Sequence, residues 1–454
     1  MTKTSTRSAL LATALLACAL GAVSTGSTAA QERGPAIVGV TVVAESLPVG
    51  FRVSAVAVEY SGRLDVGSAT IPASAFSVVA TLDPATKMAT GPRTITKAYT
   101  SDVPARSNRP TPGKYVILEL SSTDPNGAAN YYAPNSTLIN LERAYSVRQI
   151  EPIRASDATI APSPAAITNS AVVRPIIEDF TAHTYNDPNG VSFDYRQFTP
   201  AAAKGAAGRR FPLIFALHGL GSSGTDNLSQ VVGESMVVQF ALPERQAKTP
   251  AFIVAPQRKA VAMGTGWAAP ETQEALANLA THAIATLPID PNRVYLVGLS
   301  MGSNGGWTLL RRHRSLFAAS IQTAGYGISE ADVLATLRDF PMWVAHGTDD
   351  KLTPYDAPGS PYRIMNALNA AGTPVVFGEW AANLPVADAN ARASALLEEA
   401  TKKQARHLFT TYTAGTNPVF GHGSWIPAFA TPVILDWLFS HVRGGAAPGD
   451  PRSR

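Results

Sequence analysis

Apolar and polar positions divide the 454-residue chain into stretches with different grammars. Behind Lys3 and Arg7 runs an apolar stretch from Ala9 to Leu20, followed by small residues as far as Thr28-Ala29-Ala30. That is the layout of a secretory signal over residues 1–30, with cleavage after Ala30. The apolar stretch is too short to span a bilayer as a permanent helix. No integral membrane segment is therefore expected in the mature form.

From Ala36 to Ile153 the pattern is one of short strands rich in Val, Ile, Tyr and Thr: Ile37–Val43, Phe51–Tyr60, Ala75–Leu82, Arg93–Tyr99 and Tyr115–Leu120. Turn residues separate them, as at Asp83-Pro84 and Asp124-Pro125-Asn126-Gly127. Near-regular spacing without a helical period predicts a small all-β sandwich over residues 35–154. No cluster of His, Cys or carboxylate residues accompanies it. Residues 155–169, rich in Ala, Pro and Ser, read as a linker.

Beyond the linker, strands and helices alternate. Phe211–Leu217, Phe252–Pro256, Val294–Val297, Ala318–Thr323, Met342–Ala345 and Val375–Glu379 are apolar runs of strand length. Such runs suit strands covered on both faces. Glu271–Leu287, Ser303–His313, Glu330–Arg338 and Tyr362–Ala371 carry helical patterns. This alternation predicts an α/β domain over 170–443 with a doubly wound, mostly parallel sheet. Val172–Ala182 and Val191–Thr199 would be antiparallel leading strands, and 444–454 a flexible tail.

Composition narrows the function. Hydrophobic residues make up 45% and charged residues 15%, which favours folded cores over disorder. The formal charge of +4 becomes 4 − 2 = +2 once Lys3 and Arg7 leave with the signal. No stripe of Lys and Arg exists, so a nucleic-acid partner is not expected. Cys18, the one cysteine, lies inside the signal, so the mature chain would rely on packing without disulfides. Leu15-Leu16-Ala17-Cys18 also loosely resembles a lipoprotein cleavage box, leaving anchoring through Cys18 as the alternative to a secreted or periplasmic protein.

Chemistry concentrates in the second half. Gly298-Leu299-Ser300-Met301-Gly302 stands between a buried strand and a helix, the context of a nucleophile elbow that lifts a serine hydroxyl above the sheet. A serine nucleophile needs a base, and the base an orienting carboxylate. Among eight histidines, His183 precedes the helix-flanked strands, and His282, His313 and His441 fall on helices. His218 and His346 form His-Gly pairs directly after strands and read as loop-shaping residues. His422, in the loop Gly421-His422-Gly423-Ser424-Trp425, is the candidate base, with His407 in a charged, helix-like stretch as the next choice. Asp349 and Asp350 follow a strand end, where open α/β sheets place their functional loops, and either could orient the imidazole. The order Ser, Asp, His is that of an α/β-hydrolase. The glycine-rich turn after Leu217 places the Leu220 amide, with that of Met301, as an oxyanion hole; each donor is typically worth about 3–4 kcal/mol.

These residues carry a resemblance. Leu217-His218-Gly219, Asp226-Asn227, Ala255-Pro256-Gln257, Asp290-Pro291-Asn292-Arg293-Val294-Tyr295, the elbow, His346-Gly347 with Asp350, and Gly421-His422 with Trp425 together resemble the bacterial esterases and predicted peptidases related to feruloyl esterases and polyhydroxybutyrate depolymerases. The resemblance runs from about Val172 to Phe439 and selects Asp350 as the acid, leaving Asp349 a solvated turn residue. Glu59-Tyr60, Phe76-Ser77-Val78, Arg93-Thr94-Ile95, Gly113 to Leu120 and Tyr145-Ser146-Val147 resemble the immunoglobulin-like domain that precedes such a hydrolase in a thermophilic esterase. It implies a metal-free and cofactor-free carboxylesterase acting on small-molecule or polymeric esters. The front domain would shape the entrance or assemble a homo-oligomer. Polymer or feruloyl-ester depolymerase, related peptidase and silent binding protein are the competing functions.

Two departures from the family stand out. Ser303-Asn304 follow Gly302 where a further glycine is usual, which alters helix packing under the elbow. Asp350 and His422 are also 422 − 350 = 72 residues apart, so Ala381–Gly415 reads as an insertion, with Ala393–Arg406 helical, and is expected to be a surface excursion. Trp425 and Trp267 are candidate pocket walls, and Trp380 a third.

Overall fold

The computed structural model describes residues 34–444 except 68–69, 82–88, 134–137, 142, 157 and 260–265. The expected signal with Cys18, and the tail beyond Gly444, lie outside the described residues.

In the front half, Ile37–Leu47 and Gly50–Leu64 pair antiparallel across a tight turn. One sheet runs in the order Ala171–Val173, Ile37–Leu47, Gly50–Leu64, Gly113–Leu120, Ile95–Ser101. The other runs Ile167–Thr168, Tyr145–Gln149, Phe76–Ala80, Gly91–Pro92. Alternation along each strand turns Val56, Val58, Val116 and Leu118 inward with Phe76, Val78, Tyr145 and Val147, all buried in one core. Arg93 is fully buried there. Its guanidinium bonds Asp124 at 2.9 Å, the Tyr145 hydroxyl at 2.8 Å and the carbonyls of Val53 and Ser121. A buried charge is tolerable when its donors are filled in this way.

The stretch read as a linker is stitched into this half. Thr159–Ile160 pairs with Ile153–Arg154, and Ile167–Thr168 with Ser146 and Val147. Ala171–Val173 runs parallel to Thr41–Val43, so the leading strand expected at Val172 begins instead at Phe180. Alanine- and proline-rich composition hid two-residue strands too short to show a period.

The second half is one nine-stranded sheet. Its order is Phe180–Asn186, Ser192–Phe198, Phe252–Gln257, Phe211–Leu217, Ile289–Leu299, Ala319–Thr323, Met342–Gly347, His407–Tyr412, Val375–Trp380. The first two strands join antiparallel and the rest are parallel. Helices Pro270–Thr286 and Met301–His313 bury Leu276, Leu279, Trp307 and Leu310 in one of its cores.

The reading of Ala381–Gly415 as a surface excursion is wrong. His407–Tyr412 is a fully buried strand between Met342–Gly347 and Val375–Trp380, and the helix Val386–Lys402 covers the sheet through Ala393, Leu396 and Ala400. His407 therefore opens a strand rather than lying in a charged helix, and its Nε2 bonds the Arg338 carbonyl at 2.9 Å. Leu408-Phe409-Thr410-Thr411-Tyr412 is a β-type run, masked in the sequence by the charged residues before it. Phe409 packs against Tyr355, Tyr362 and Phe377 with ring centroids 5.8–6.1 Å apart. Phe409→Ala is expected to cost about 3–5 kcal/mol of stability, as for a fully buried aromatic, read as the shift in urea unfolding. A loss under about 0.5 kcal/mol would fit a surface position instead.

Candidate active site

The site begins at the junction of the strand Ile289–Leu299 and the helix Met301–His313. Ser300 sits between them at φ 50° and ψ −122°, a conformation L residues rarely adopt. Its amide donates to the Thr323 carbonyl of the neighbouring strand at 2.9 Å. Flanking glycines permit the crossing. A methyl on Gly302 would fall inside the Leu217 carbonyl, and one on Gly298 would lie 2.7 Å from the Gly302 carbonyl. Ser303 and Asn304 lie directly beneath the elbow. Ser303 is buried, and the Asn304 side chain accepts from the Tyr326 amide at 2.7 Å.

The candidate acid and base arrive from neighbouring strands. Asp350 follows Met342–Gly347, and the His422 loop follows His407–Tyr412. His422 Nε2 lies 2.8 Å from Ser300 Oγ, and its Nδ1 lies 2.7 Å from Asp350 Oδ2. A carboxylate only accepts, so Nδ1 carries the proton and Nε2 is free to accept from the serine. Asp350 is buried with its oxygens filled. Oδ1 accepts the amides of Leu352 and Thr353 at 2.9 Å each, and Oδ2 the Thr353 hydroxyl at 2.7 Å. Burial pushes this carboxyl up, but bonds from His346, His422 and Thr353 outweigh it and hold the group well below the ordinary carboxylate range.

Asp349 is half-buried and does more than face solvent. Its Oδ2 accepts the Gly415 amide at 2.8 Å, tying the acid loop to the base loop. A methyl on Gly421 would stand 2.6 Å from the Asp349 carbonyl. Glycine before His422 thus permits close approach of two backbones, and the imidazole is 6% exposed, packed edge-on against Trp425 with centroids 5.4 Å apart.

Opposite the elbow, Leu220–Ser222 forms a single tight turn after Gly219. The amides of Leu220 and Met301 begin this turn and the helix, where N–H groups have no partner within the element. His218 braces the turn. Its Nδ1 bonds the Gly219 carbonyl at 2.6 Å, its Nε2 accepts the Arg258 amide at 2.9 Å, and its carbonyl accepts Trp267 Nε1 at 3.0 Å. Burial lowers its pKa to about 4, so it is neutral in ordinary buffers.

A cavity of about 540 Å³ opens over Ser300, walled by Leu220, Trp267, Met301, Leu352, Phe420 and Trp425. Trp425 and Trp267 are thus both at the site, whereas Trp380 is buried against Tyr412 and away from it. Sequence reasoning missed Leu352 and Phe420 and, against the turn itself, two further wall residues. Tyr132, from the front half, packs on the turn so closely that a methyl on Gly221 would come within 2.7 Å of its ring. Nearby, Asn140 bonds Asp226 and Ser229, joining the two halves beside the site. The other is Glu234, 8% exposed, whose Oε2 accepts from Ser222 Oγ at 2.7 Å. Burial raises this carboxyl to about 8, against bonds from Ser222 and the Gly219 backbone that lower it. A lone acid inside the apolar stretch Val231–Ala241 was the available signal. Among the described residues, no group of three or more His, Cys, Asp or Glu could hold a metal ion.

Comparison with known proteins agrees with this architecture. Residues 39–162 match the family of the esterase immunoglobulin-like N-terminal domain. The crystal structure of a thermostable esterase matches with a TM-score of 0.73 and 29% identity, over 90% of this chain and 100% of that one. More distant are a ferulic acid esterase from Anaeromyces mucronatus (14% identity, TM-score 0.33, 56% of this chain and 91% of that one) and an acylaminoacyl peptidase from Pyrococcus horikoshii (13%, 0.39, 60% and 44%). No curated protein matches in sequence. The chain therefore has an α/β-hydrolase fold fronted by an esterase-type immunoglobulin-like domain, and is similar over nine-tenths of its length to a thermostable esterase.

Proposed function

We propose that this protein is a carboxylesterase working through an acyl-enzyme on Ser300. The observation that carries the reading is the unbroken chain Ser300–His422–Asp350, with links of 2.8 and 2.7 Å, at a strained strand-to-helix junction. His422 takes the serine proton as Oγ attacks the ester carbonyl carbon. The resulting oxyanion is held by the amides of Leu220 and Met301. His422 then gives its proton to the departing alkoxide oxygen, releasing the alcohol and leaving the acyl group on Ser300. Water, deprotonated by the same imidazole, repeats the sequence and frees the acid. Asp350 keeps the imidazole in the productive tautomer and stabilises its cation.

The cavity wall disfavours anionic esters, since no Lys or Arg is among the described residues that line it. Leu352 and Phe420 on that wall are 68% and 42% exposed, and Val419 beside them 43%. That apolar rim favours, as a second reading, an ester carried on a polymer, which clearing of a polyester emulsion would register. Residues 1–30 are proposed as an export signal, with anchoring through Cys18 as the alternative. The described residues contain no helix long and apolar enough to cross a membrane.

Ser300→Ala is expected to reduce kcat on p-nitrophenyl butyrate by about 10⁵-fold or more, and Asp350→Asn by about 10⁴-fold, with unfolding midpoints little changed. Retained turnover in Ser300→Ala would reject the assignment. Tyr132→Ala should raise KM several-fold with a smaller change in kcat, because it removes wall area and no reacting group. Expression of the full chain should yield a mature protein starting at Gln31, read by intact mass; a lipid-modified product starting at Cys18 would favour the anchor.

A further inference from the structure

We propose that Glu234 is a positioning residue of the reaction, holding from behind the turn that presents the Leu220 amide to the oxyanion. The inference rests on the ester-hydrolase reading of Ser300. Glu234 grips both ends of that turn. Its Oε2 takes the Ser222 hydroxyl at 2.7 Å, and the Gly219 amide bonds to the same carboxyl. Leu220 lies between those two anchors. Glu234 Oε1 and Ser300 Cβ both come within 3.5 Å of one point, the place a methyl on Gly219 would occupy. The carboxyl is therefore close to where charge develops, though it lies behind the turn rather than in the path of the reaction.

Charge on this group works against the chemistry. A carboxylate behind the oxyanion hole raises the energy of a second anion in front of it. The groups facing Glu234 are the hydroxyl of Ser222, the backbone of Gly219 and the phenol of Tyr132 from the front half. Among the described residues no Lys, Arg or His is paired with it. Uncharged, it can hold the turn at no electrostatic cost to the oxyanion, and its pKa of about 8 keeps it protonated at neutral pH. The working form is thus present below about pH 8 and is lost as pH rises through that value. Substrate filling the cavity removes more water and moves the loss to higher pH.

The test is kcat and KM for p-nitrophenyl butyrate from pH 6 to 10 in the full chain, with E234Q and E234A. Wild type should lose at least about fivefold in kcat on a one-proton alkaline limb. E234Q keeps the hydrogen bonds without the charge, so it should restore most of the pH 7 kcat and flatten the limb. E234A should lower kcat about 10- to 100-fold with KM shifted less than about threefold, the signature of a contact felt in the transition state. An alkaline limb persisting in E234Q, or full kcat in E234A, overturns the proposal; if E234A does not fold, the E234Q profile decides alone. A rise in KM confined to aminoacyl esters would mark Glu234 as an amine-binding group and also overturn it. Absence of all ester turnover in the wild type would instead bring down the Ser300 reading.

Discussion

Everything at the site depends on how closely one helix is pressed against the sheet. The helix Met301–His313 starts so near the strand Phe211–Leu217 that Gly302 has no room for a methyl beside the Leu217 carbonyl. That approach forces Ser300 into a positive φ, a strain of about 1–3 kcal/mol that the buried strands and Trp307 must hold in place. Relaxing it would withdraw the hydroxyl from His422. The same approach starts the helix at Met301, so one packing contact places both the Ser300 hydroxyl and Met301 on the cavity that Leu220 also lines.

Much of this was legible in sequence because each element announces itself locally. The elbow glycines bracket Ser300 between a buried strand and a helix, and His422 lies in a glycine-flanked loop, so these two could be chosen locally, while only the family resemblance separated Asp350 from Asp349. Less legible was whatever depends on long-range pairing. His407–Tyr412 enters the sheet between two strands that precede it in sequence, and its neighbour in the chain is a charged helix that suggested the surface. Ala171–Val173 carries too few residues for a period to reveal its partner. Tyr132 reaches the cavity only because the sandwich and the hydrolase sheet are docked there, which no local pattern encodes, whereas Glu234 left one local mark, a lone acid within Val231–Ala241.

The front half is more than an appendage in this arrangement. One continuous core runs from Val56 and Val116 in the sandwich to Val231, Val232 and Met236 beside the hydrolase sheet. Ser46 donates to the Val232 carbonyl, and Tyr132 rests on the turn that contains Leu220. Segment Ser229–Ala241 therefore has the sandwich on one side and the oxyanion turn on the other. Loss of packing in the sandwich would be felt at the cavity over Ser300 through that segment.

Asp350 and His422 follow strands that lie side by side, Met342–Gly347 and His407–Tyr412. Their separation is set by a single inter-strand spacing of about 4.8 Å and owes nothing to the contour length of the chain between them. The length of the excursion through Pro361–Ala370, Val375–Trp380 and Val386–Lys402 therefore does not itself set that separation. Lineages could lengthen, trim or ornament its exposed bends without retuning the imidazole, which makes this edge of the molecule the natural place for new surface properties to accumulate.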